Sequence, residues 1–251
     1  MARISDMKGE EIVVWQKACK WFSYSVQAIL LKTAKPGDRG LIWQNIGTSF
    51  AIKRKPNPLF ITNAHVICSD NGEPYDNKNL AFVTHLSSDK AVVCGISIKI
   101  IEKTLDIAVF EASKEGEDIL PVRFADPTVL QIGTSVASIG FPIPKDPILT
   151  PTGGQLTTNR RLATGFISSN ECLVKFDQLT RALKHYEINM FSYPGLSGAP
   201  VFDINGFVVG INRGSRLFET NIAAYGYAIR GHEIIMCMEK NGIEIEVNPN
   251  S

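Results

Sequence analysis

Charge of one sign is the first thing this sequence lacks. Its 26 Lys and Arg residues balance 25 Asp and Glu residues, and the isoelectric point is near 7.6. Proteins that bind nucleic acid or an anionic membrane surface usually present an excess of basic residues. We therefore expect neither nucleic acid nor a membrane among the partners of this protein.

Long apolar runs are missing as well. No stretch approaches the ~18 uninterrupted apolar residues of a membrane-spanning helix. The N-terminal sequence MARISDMKGEEIVVWQKACKWF mixes acids and bases ahead of any apolar run, which is unlike a secretory signal. These two features predict a soluble, cytoplasmic protein.

Cysteines are few and scattered, and no pair has CxxC spacing. An odd number of thiols in this arrangement fits free cysteines in a reducing compartment better than a disulfide framework or a zinc site. We expect no metal and no other cofactor. The five residues are Cys19, Cys68, Cys94, Cys172 and Cys237.

Short β-rich runs, separated by Gly, Pro, Asn and Asp, fill most of the chain from Tyr24 onward. One set, from SVQAILLK to LDIAVFEA, precedes the polar stretch SKEGEDILP, and a second set, from SVASIGF to AAYGYAI, follows it. Helical patterns lie mainly at the two ends of the chain. Because no helices alternate with the β-rich runs, they predict an all-β fold of two six-stranded antiparallel barrels, and not a parallel sheet.

We divide the chain into three parts. Residues 1–23 are predicted to be an N-terminal helical segment that packs as a lid, because apolar residues recur there at spacings of three and four. Residues 24–118 form the first β-barrel, and the junction is expected between Ser113 and Pro127. Residues 119–251 form the second barrel with a C-terminal helix, whose pattern GHEIIMCMEKNG stops at Gly242.

The stretch GLSGAP places Ser197 between glycines, just before a β-rich run. It is either a glycine-rich turn or a nucleophile on a tight elbow. A serine hydroxyl is a poor nucleophile until an imidazole takes its proton, and the imidazole works best beside a carboxylate. His65 in ITNAHVI and Asp106 in LDIAVF are the candidates, although a core histidine and a turn aspartate are the simpler readings of each residue alone.

The two glycines have a possible function of their own. Gly195 and Gly198 tolerate backbone torsions that other residues resist. The amides of Gly195 and Ser197 could then converge in front of the serine hydroxyl. Paired donors of this kind stabilise a developing oxyanion.

The segments ITNAHVI, LDIAVF and GLSGAPVFDINGFVVGIN resemble, in that order, the three catalytic segments of trypsin-like serine proteases of the chymotrypsin fold. The HtrA-like and glutamyl-endopeptidase-like bacterial branches are the most similar. GTSFAIK, RLATGFISS and GYAI resemble strands of the same family. The resemblance implies that Ser197 is the nucleophile and His65 the general base and then acid. It also implies that Asp106 orients His65, and that Gly195 and Ser197 supply the oxyanion hole.

Some features depart from these relatives. HtrA-like enzymes usually carry a C-terminal PDZ domain, but only about twenty residues follow the closing strand here, so we expect none. The loop 142–159 occupies the place of the family's activation loop and is our regulatory candidate. Cys68 is a rival nucleophile in principle, but its place after His65 predicts that it points elsewhere.

The resemblance also bears on the substrate pocket, which would involve Phe191, Asn212 and Arg213. Phe191 stands where the pocket base is expected, which disfavours a preference for Arg or Lys. Arg213 would bind an acidic side chain if it turned inward; turned outward, it would be a solvated edge residue beside an apolar pocket, and we expect the outward orientation. Three other histidines lack a motif and are interpreted as surface or core residues: His85, His185 and His232.

These features predict a serine endopeptidase that makes limited or regulated cuts in protein or peptide substrates, with a regulatory protein as a possible partner. A protease-fold scaffold without activity is the first alternative. A non-catalytic domain would have no need for the complete set of Ser197, His65 and Asp106. A serine esterase with the same triad is the second alternative.

Overall fold

The computed structural model describes residues 9–34, 41–54, 57–87, 90–112, 119–143, 160–174, 183–217 and 223–248. Two barrels of antiparallel strands account for most of this part of the chain, as predicted. The all-β class with two six-stranded barrels is confirmed.

The first barrel is closed by six strands in the spatial order β1-β2-β3-β6-β5-β4. Phenylalanine rings fill its interior, where Phe60 lies 5.0 Å from Phe82 and 5.4 Å from Phe110 between ring centroids. The strands are β1 (Val26–Ala34), β2 (Leu41–Lys53), β3 (Leu59–Thr62), β4 (Leu80–Ser87), β5 (Lys90–Glu102) and β6 (Ile107–Ala112).

The second barrel closes through a pairing between β11 and β12, which joins the ends of the order β11-β8-β9-β10-β13-β12. Two short strands extend this sheet: β7 pairs in parallel with β12, and β14 pairs in parallel with β7. The strands are β7 (Phe124–Ala125), β8 (Ser135–Gly140), β9 (Arg161–Val174), β10 (Leu183–Ile188), β11 (Pro200–Asp203), β12 (Val208–Leu217), β13 (Ala223–Arg230) and β14 (Val247–Asn248).

Helices are few in the described ranges. They are α1 (Gly9–Ser25), α2 (Ala64–Ile67), a 3-10 turn at Asn77–Asn79, and α3 (Gly231–Lys240). Although α1 precedes the first barrel in sequence, it packs on the second, where Phe22 stacks on Phe202 with ring centroids 4.0 Å apart. In the part of the chain with described structure, no helix has the length and apolar character to cross a membrane.

One apolar cluster joins the two barrels. Phe50 and Ile107 of the first barrel lie in the same cluster as Phe124, Phe141 and Phe202 of the second. This shared core fixes the face of one barrel against the face of the other. The boundary between residues 118 and 119 stays a prediction, and residues 113–118 lie outside the described ranges.

Candidate active site

His65 and Asp106 meet at the ends of two paired strands of the first barrel. His65 lies in α2, directly after β3, and Asp106 directly precedes β6, which pairs with β3. The His65 Nδ1 lies 2.8 Å from Asp106 Oδ2, and the His65 backbone N–H donates to Oδ1 at 2.9 Å. Because a carboxylate only accepts, Nδ1 carries the hydrogen and Nε2 is left to act as a base.

Asp106 is held in an unusual backbone conformation and an unusual environment. Its φ of 57° lies in the left-handed region, where an aspartate is more acceptable than most residues. Burial alone would raise the pKa of its carboxyl group, but contacts with His65 and the nearby charge of Arg213 hold that pKa below its usual value. Asp106 therefore stays ionised at neutral pH.

Ser197 stands on the predicted tight turn before β11. Gly195 and Gly198 have φ values of 92° and 84°, and both are closely packed. A side chain on Gly198 would collide with the Thr48 carbonyl oxygen, and one on Gly195 would collide with backbone atoms of residues 141 and 143. Both the torsions and the space therefore require glycine.

The peptide between Pro194 and Gly195 is oriented for anion binding. The Pro194 carbonyl accepts from the Ile143 N–H at 2.8 Å. A trans peptide points its N–H opposite to its carbonyl, so the Gly195 N–H is directed away from Ile143. Within the described part of the chain, the amides of Gly195 and Ser197 donate no hydrogen bond. Two donors are thus available beside the serine.

The Ser197 hydroxyl donates to the Arg213 carbonyl oxygen at 3.2 Å. Among the described residues it makes no hydrogen bond with His65, which approaches from the other barrel. Arg213 contacts both Ser197 and Asp106, so the structure links the three predicted residues through it, with the Ser197 hydroxyl turned to β12.

Thr48, on β2 of the first barrel, was not found by sequence reasoning. Its backbone N–H donates to the Ser197 carbonyl at 2.9 Å. Its hydroxyl donates to the Gly195 carbonyl at 2.7 Å and accepts the Phe141 N–H at 3.0 Å. In the sequence, only the resemblance of the strand GTSFAIK to a family strand drew attention to the region of Thr48. Thr48 thus holds Gly195, one of the two predicted oxyanion donors, from the opposite barrel.

The structure corrects the expected orientation of Arg213. Its side chain is 2% exposed, and its Nε donates to Asp106 Oδ2 at 2.8 Å. It is therefore neither a solvated edge residue nor turned toward a substrate side chain. The reason is the buried carboxylate, which supplies a stronger partner than water does at the sheet edge.

His185 also belongs to this network, and no sequence motif marked it. It is fully buried on β10. Its Nδ1 lies 2.8 Å from the Leu183 carbonyl oxygen, and its Nε2 lies 3.2 Å from Arg213 Nη1. Burial lowers the pKa of His185 to about 4, so the ring is neutral at pH 7. The carbonyl requires a hydrogen on Nδ1, which leaves Nε2 to accept from Arg213.

The other predicted pocket residues lie on the second barrel. Asn212 is buried on β12, and its Oδ1 accepts from the Ser192 hydroxyl at 2.9 Å. Phe191 is 41% exposed and stacks near Tyr193, with centroids 6.4 Å apart. Phe191 therefore does not form a closed pocket floor. The next residue, Ser192, is buried and makes the polar pair with Asn212.

Two remaining expectations concern regulation and a rival nucleophile. Burial raises the pKa of the Cys68 thiol, which makes it a poor nucleophile at neutral pH. Of the loop 142–159, residues 144–159 lie outside the described residues. Within the described ranges, no group of three His, Cys, Asp or Glu side chains could hold a metal ion.

Sequence comparison finds a match to the trypsin-like peptidase domain over residues 47–211. The serine protease Do-like HtrA of Bacillus subtilis is 26% identical over 170 residues, which are 66% of this chain and 35% of that protein. A probable periplasmic serine endoprotease DegP-like of Pseudomonas savastanoi pv. phaseolicola is 30% identical over 179 residues, 71% of this chain and 31% of that protein. The chain spans about a third of the length of these relatives.

Solved structures share the fold. The active form of the Rv3671c protease from M. tuberculosis matches with a TM-score of 0.63 and 21% identity, over 94% of this chain and 88% of that one. Its inactive form matches with a TM-score of 0.61 and 20% identity, over 92% of this chain and 95% of that one. At this identity the likeness establishes the arrangement of the two barrels.

Proposed function

We propose that this chain, which belongs to the trypsin-like peptidase family, is a serine endopeptidase that cleaves peptide bonds of protein substrates. His65 Nε2 takes the proton of the Ser197 hydroxyl while the serine oxygen attacks the scissile carbonyl carbon. The resulting oxyanion accepts hydrogen bonds from the amides of Gly195 and Ser197. His65 then gives its proton to the leaving amine, and water hydrolyses the acyl-enzyme by the same steps.

The observation that carries this proposal has two parts. The His65 ring contacts Asp106, and in the described part of the chain the amides of Gly195 and Ser197 donate no hydrogen bond. The two barrels supply different halves of the machinery, the base with its carboxylate and the nucleophile with its anion donors. A core histidine would need no ionised carboxylate, and a structural turn would need no pair of free amides. Acyl transfer uses all of these groups together.

We also propose that the pocket prefers uncharged side chains. Of the predicted pocket residues, Arg213 alone carries a guanidinium, and this group is bonded to Asp106, so it does not face an acidic substrate residue. The buried pair Ser192 and Asn212 is polar but neutral. Peptides that differ only at the residue before the cleaved bond test this: those with an uncharged residue should be cut faster than those with Glu, Lys or Arg.

The location and the substrates are further proposals. All five cysteines are free, which supports a reducing compartment such as the cytoplasm. One relative is named a periplasmic endoprotease, so cell fractionation must decide the compartment for this protein. We propose that the protein makes limited cuts in protein substrates and that a protein partner controls this cleavage. Broad degradation of unfolded casein without any trigger would contradict that control.

Labelling with a fluorophosphonate, read by intact mass, tests the proposed triad. We expect one adduct on the wild-type protein and none on Ser197→Ala or His65→Ala. Cys68→Ala is the matched control, because it removes the rival nucleophile while leaving the triad, and it should label like the wild type. An adduct that depends on Cys68 and persists in Ser197→Ala would contradict the proposal.

A folded wild-type protein that takes no adduct, alone or with candidate substrates, would favour the inactive scaffold. A labelled protein that hydrolyses small esters but no peptide would favour the esterase. Ser197→Ala separates both outcomes from background hydrolysis, since it keeps the fold and lacks the nucleophile.

A further inference from the structure

The carboxylate oxygen that holds His65 is shared with a second donor. Asp106 Oδ2 lies 2.8 Å from His65 Nδ1 and 2.8 Å from Arg213 Nε. The side chains of Asp106 and Arg213 are 4% and 2% exposed, so the ion pair is buried. A neutral hydroxyl would satisfy the same oxygen without bringing a full positive charge. The presence of an arginine therefore has an electrostatic consequence.

We propose that Arg213 is a positioning residue that extends the working range of His65 toward acid, by offsetting the charge of Asp106 from the second barrel. The inference rests on the proposed triad. Arg213 touches neither the scissile bond nor His65 in this arrangement. It acts through Asp106, and its backbone carbonyl accepts from the Ser197 hydroxyl.

The direction of the effect follows from the charges. An ionised Asp106 alone favours the protonated, positively charged ring of His65, which cannot act as a base. A guanidinium on the same oxygen opposes that protonation, because two positive charges then compete for one negative charge. With Arg213 in place, His65 keeps its neutral, basic form to lower pH than it would with an uncharged residue at position 213.

His185 fixes the orientation of the guanidinium. Its neutral ring accepts from Arg213 Nη1 through Nε2, while its Nδ1 is bonded to the Leu183 carbonyl. A neutral acceptor directs the guanidinium without cancelling its charge. This explains why a buried histidine without any substrate contact lies directly behind the acid of the triad.

Among the described residues, the other titratable groups that act on Asp106, Cys68 or His185 are neutral or paired. Cys68 is a buried thiol with a raised pKa. Lys103 and Glu73 are exposed at the surface with their charges 4.0 Å apart, so they largely offset each other. On the second barrel, Glu233 is paired with Arg230 at 3.2 Å. Within the described ranges, the positive charge in contact with Asp106 on the side of the second barrel is therefore that of Arg213.

Histidine NMR titration of the full chain in the Ser197→Ala background tests the inference without requiring peptidase activity. The His65 signals are assigned by their loss in His65→Ala. In Arg213→Thr and Arg213→Gln, the His65 ring should titrate about one pH unit higher than in the parent. In an active enzyme, the acid limb of the pH profile of kcat/KM should move by the same amount.

Arg230→Thr is the control, because it removes another partly buried arginine–carboxylate pair and leaves Asp106 untouched. It should leave the His65 titration in place. An unchanged titration in folded Arg213→Thr or Arg213→Gln would overturn the inference, even if those variants were less stable. Absence of fluorophosphonate labelling would instead count against the proposed function, since the NMR titration does not depend on it.

The two neutral variants leave Asp106 without its buried counter-charge, so they could fail to fold. Arg213→Lys then tests the inference, because lysine keeps the positive charge but lacks the planar set of N–H donors of the guanidinium. The inference requires its His65 ring to titrate within about 0.3 pH unit of the parent, while loss of the His185 contact lowers only the thermal midpoint. A larger displacement toward high pH would overturn it.

Discussion

At the scale of single residues, the proposed oxyanion hole is held by a threonine of the opposite barrel. The hydroxyl of Thr48 lies between the Phe141 N–H and the Gly195 carbonyl, and it bonds both. It thereby fixes the carbonyl of Gly195, whose amide is proposed to face the substrate oxyanion. A preorganised donor is worth most when it needs no reorientation during the reaction.

We predict that Thr48→Val lowers kcat by about ten- to a hundredfold with a smaller change in KM. Valine keeps the shape but leaves Gly195 without its anchor, and complete loss of one oxyanion donor costs about 10²–10³ in kcat. Steady-state kinetics on a peptide substrate measure this. Thr48→Ser is the matched control and should retain most of the activity. Equal losses in both variants would show that the hydroxyl has no part in positioning Gly195.

Several residues of the candidate site could be proposed from the sequence because each stands beside a local signal. Ser197 is flanked by glycines, and Asp106 and His65 adjoin apolar strands, so pattern and family resemblance converge on them. The family is confirmed by the match over residues 47–211. Arg213 and His185 could not be placed in the same way. Their roles depend on which side of a strand faces the other barrel, and no local pattern reports that.

At the scale of elements, α1 is a structural part of the second barrel. Phe22 is fully buried and stacks on Phe202, whose strand β11 follows the catalytic turn. Trp15 packs on the same ring at 5.8 Å. The amphipathic spacing predicted the helix, but it did not indicate that the helix would cover the barrel further along in sequence.

We predict that Phe22→Ala lowers the free energy of unfolding by about 3–5 kcal/mol, because it leaves a cavity against Phe202. Urea unfolding measures this change. Trp21→Ala is the control on the same helix: Trp21 is 41% exposed, so its loss should cost less than about 1 kcal/mol. Comparable losses in the two variants would mean that α1 does not pack through its Phe22 face.

The last residue of β11, Asp203, is a buried carboxylate whose response to pH is opposite to that of Asp106. Asp203 Oδ1 accepts the N–H groups of Asn205 and Phe207, both at 2.9 Å. Burial raises the pKa of Asp203 despite these hydrogen bonds. Protonated Asp203 therefore contributes stability that is fully present below the pKa of the unfolded state. This contribution is lost as the pH rises through the pKa of the folded state.

We therefore predict that Asp203→Asn is at least as stable as the wild type at pH 7. As the pH falls toward 4, the free energy of unfolding of the wild type should rise relative to that of the variant. Asparagine keeps the acceptor oxygen and removes the buried charge. Urea midpoints at several pH values measure the difference. Asp126→Asn should show the opposite trend, because hydrogen bonds from Thr128 lower the pKa of Asp126. A constant difference for Asp203→Asn would refute the assignment.

At the scale of the whole molecule, the bonds of the candidate site and the apolar core both extend across the two barrels. The bond from Thr48 to Ser197 and the ion pair of Asp106 with Arg213 join the two halves. The rings of Phe50 and Phe124 meet in the shared core at 6.4 Å. Neither barrel can therefore open without exposing apolar surface of the other, and the barrels should unfold together.

The three tryptophans allow each barrel to be followed separately. Trp43 lies on β2 of the first barrel, whereas Trp15 and Trp21 lie on α1, which packs against the second. We predict that tryptophan fluorescence shows one urea transition in the Trp43→Phe variant and one in the Trp15→Phe/Trp21→Phe variant. In each variant, this transition should coincide with the one measured by circular dichroism. A fluorescence midpoint that differs from the circular dichroism midpoint in either variant would show that the barrels unfold separately. In that case the bonds across the interface would be too weak to couple the two halves of the active site.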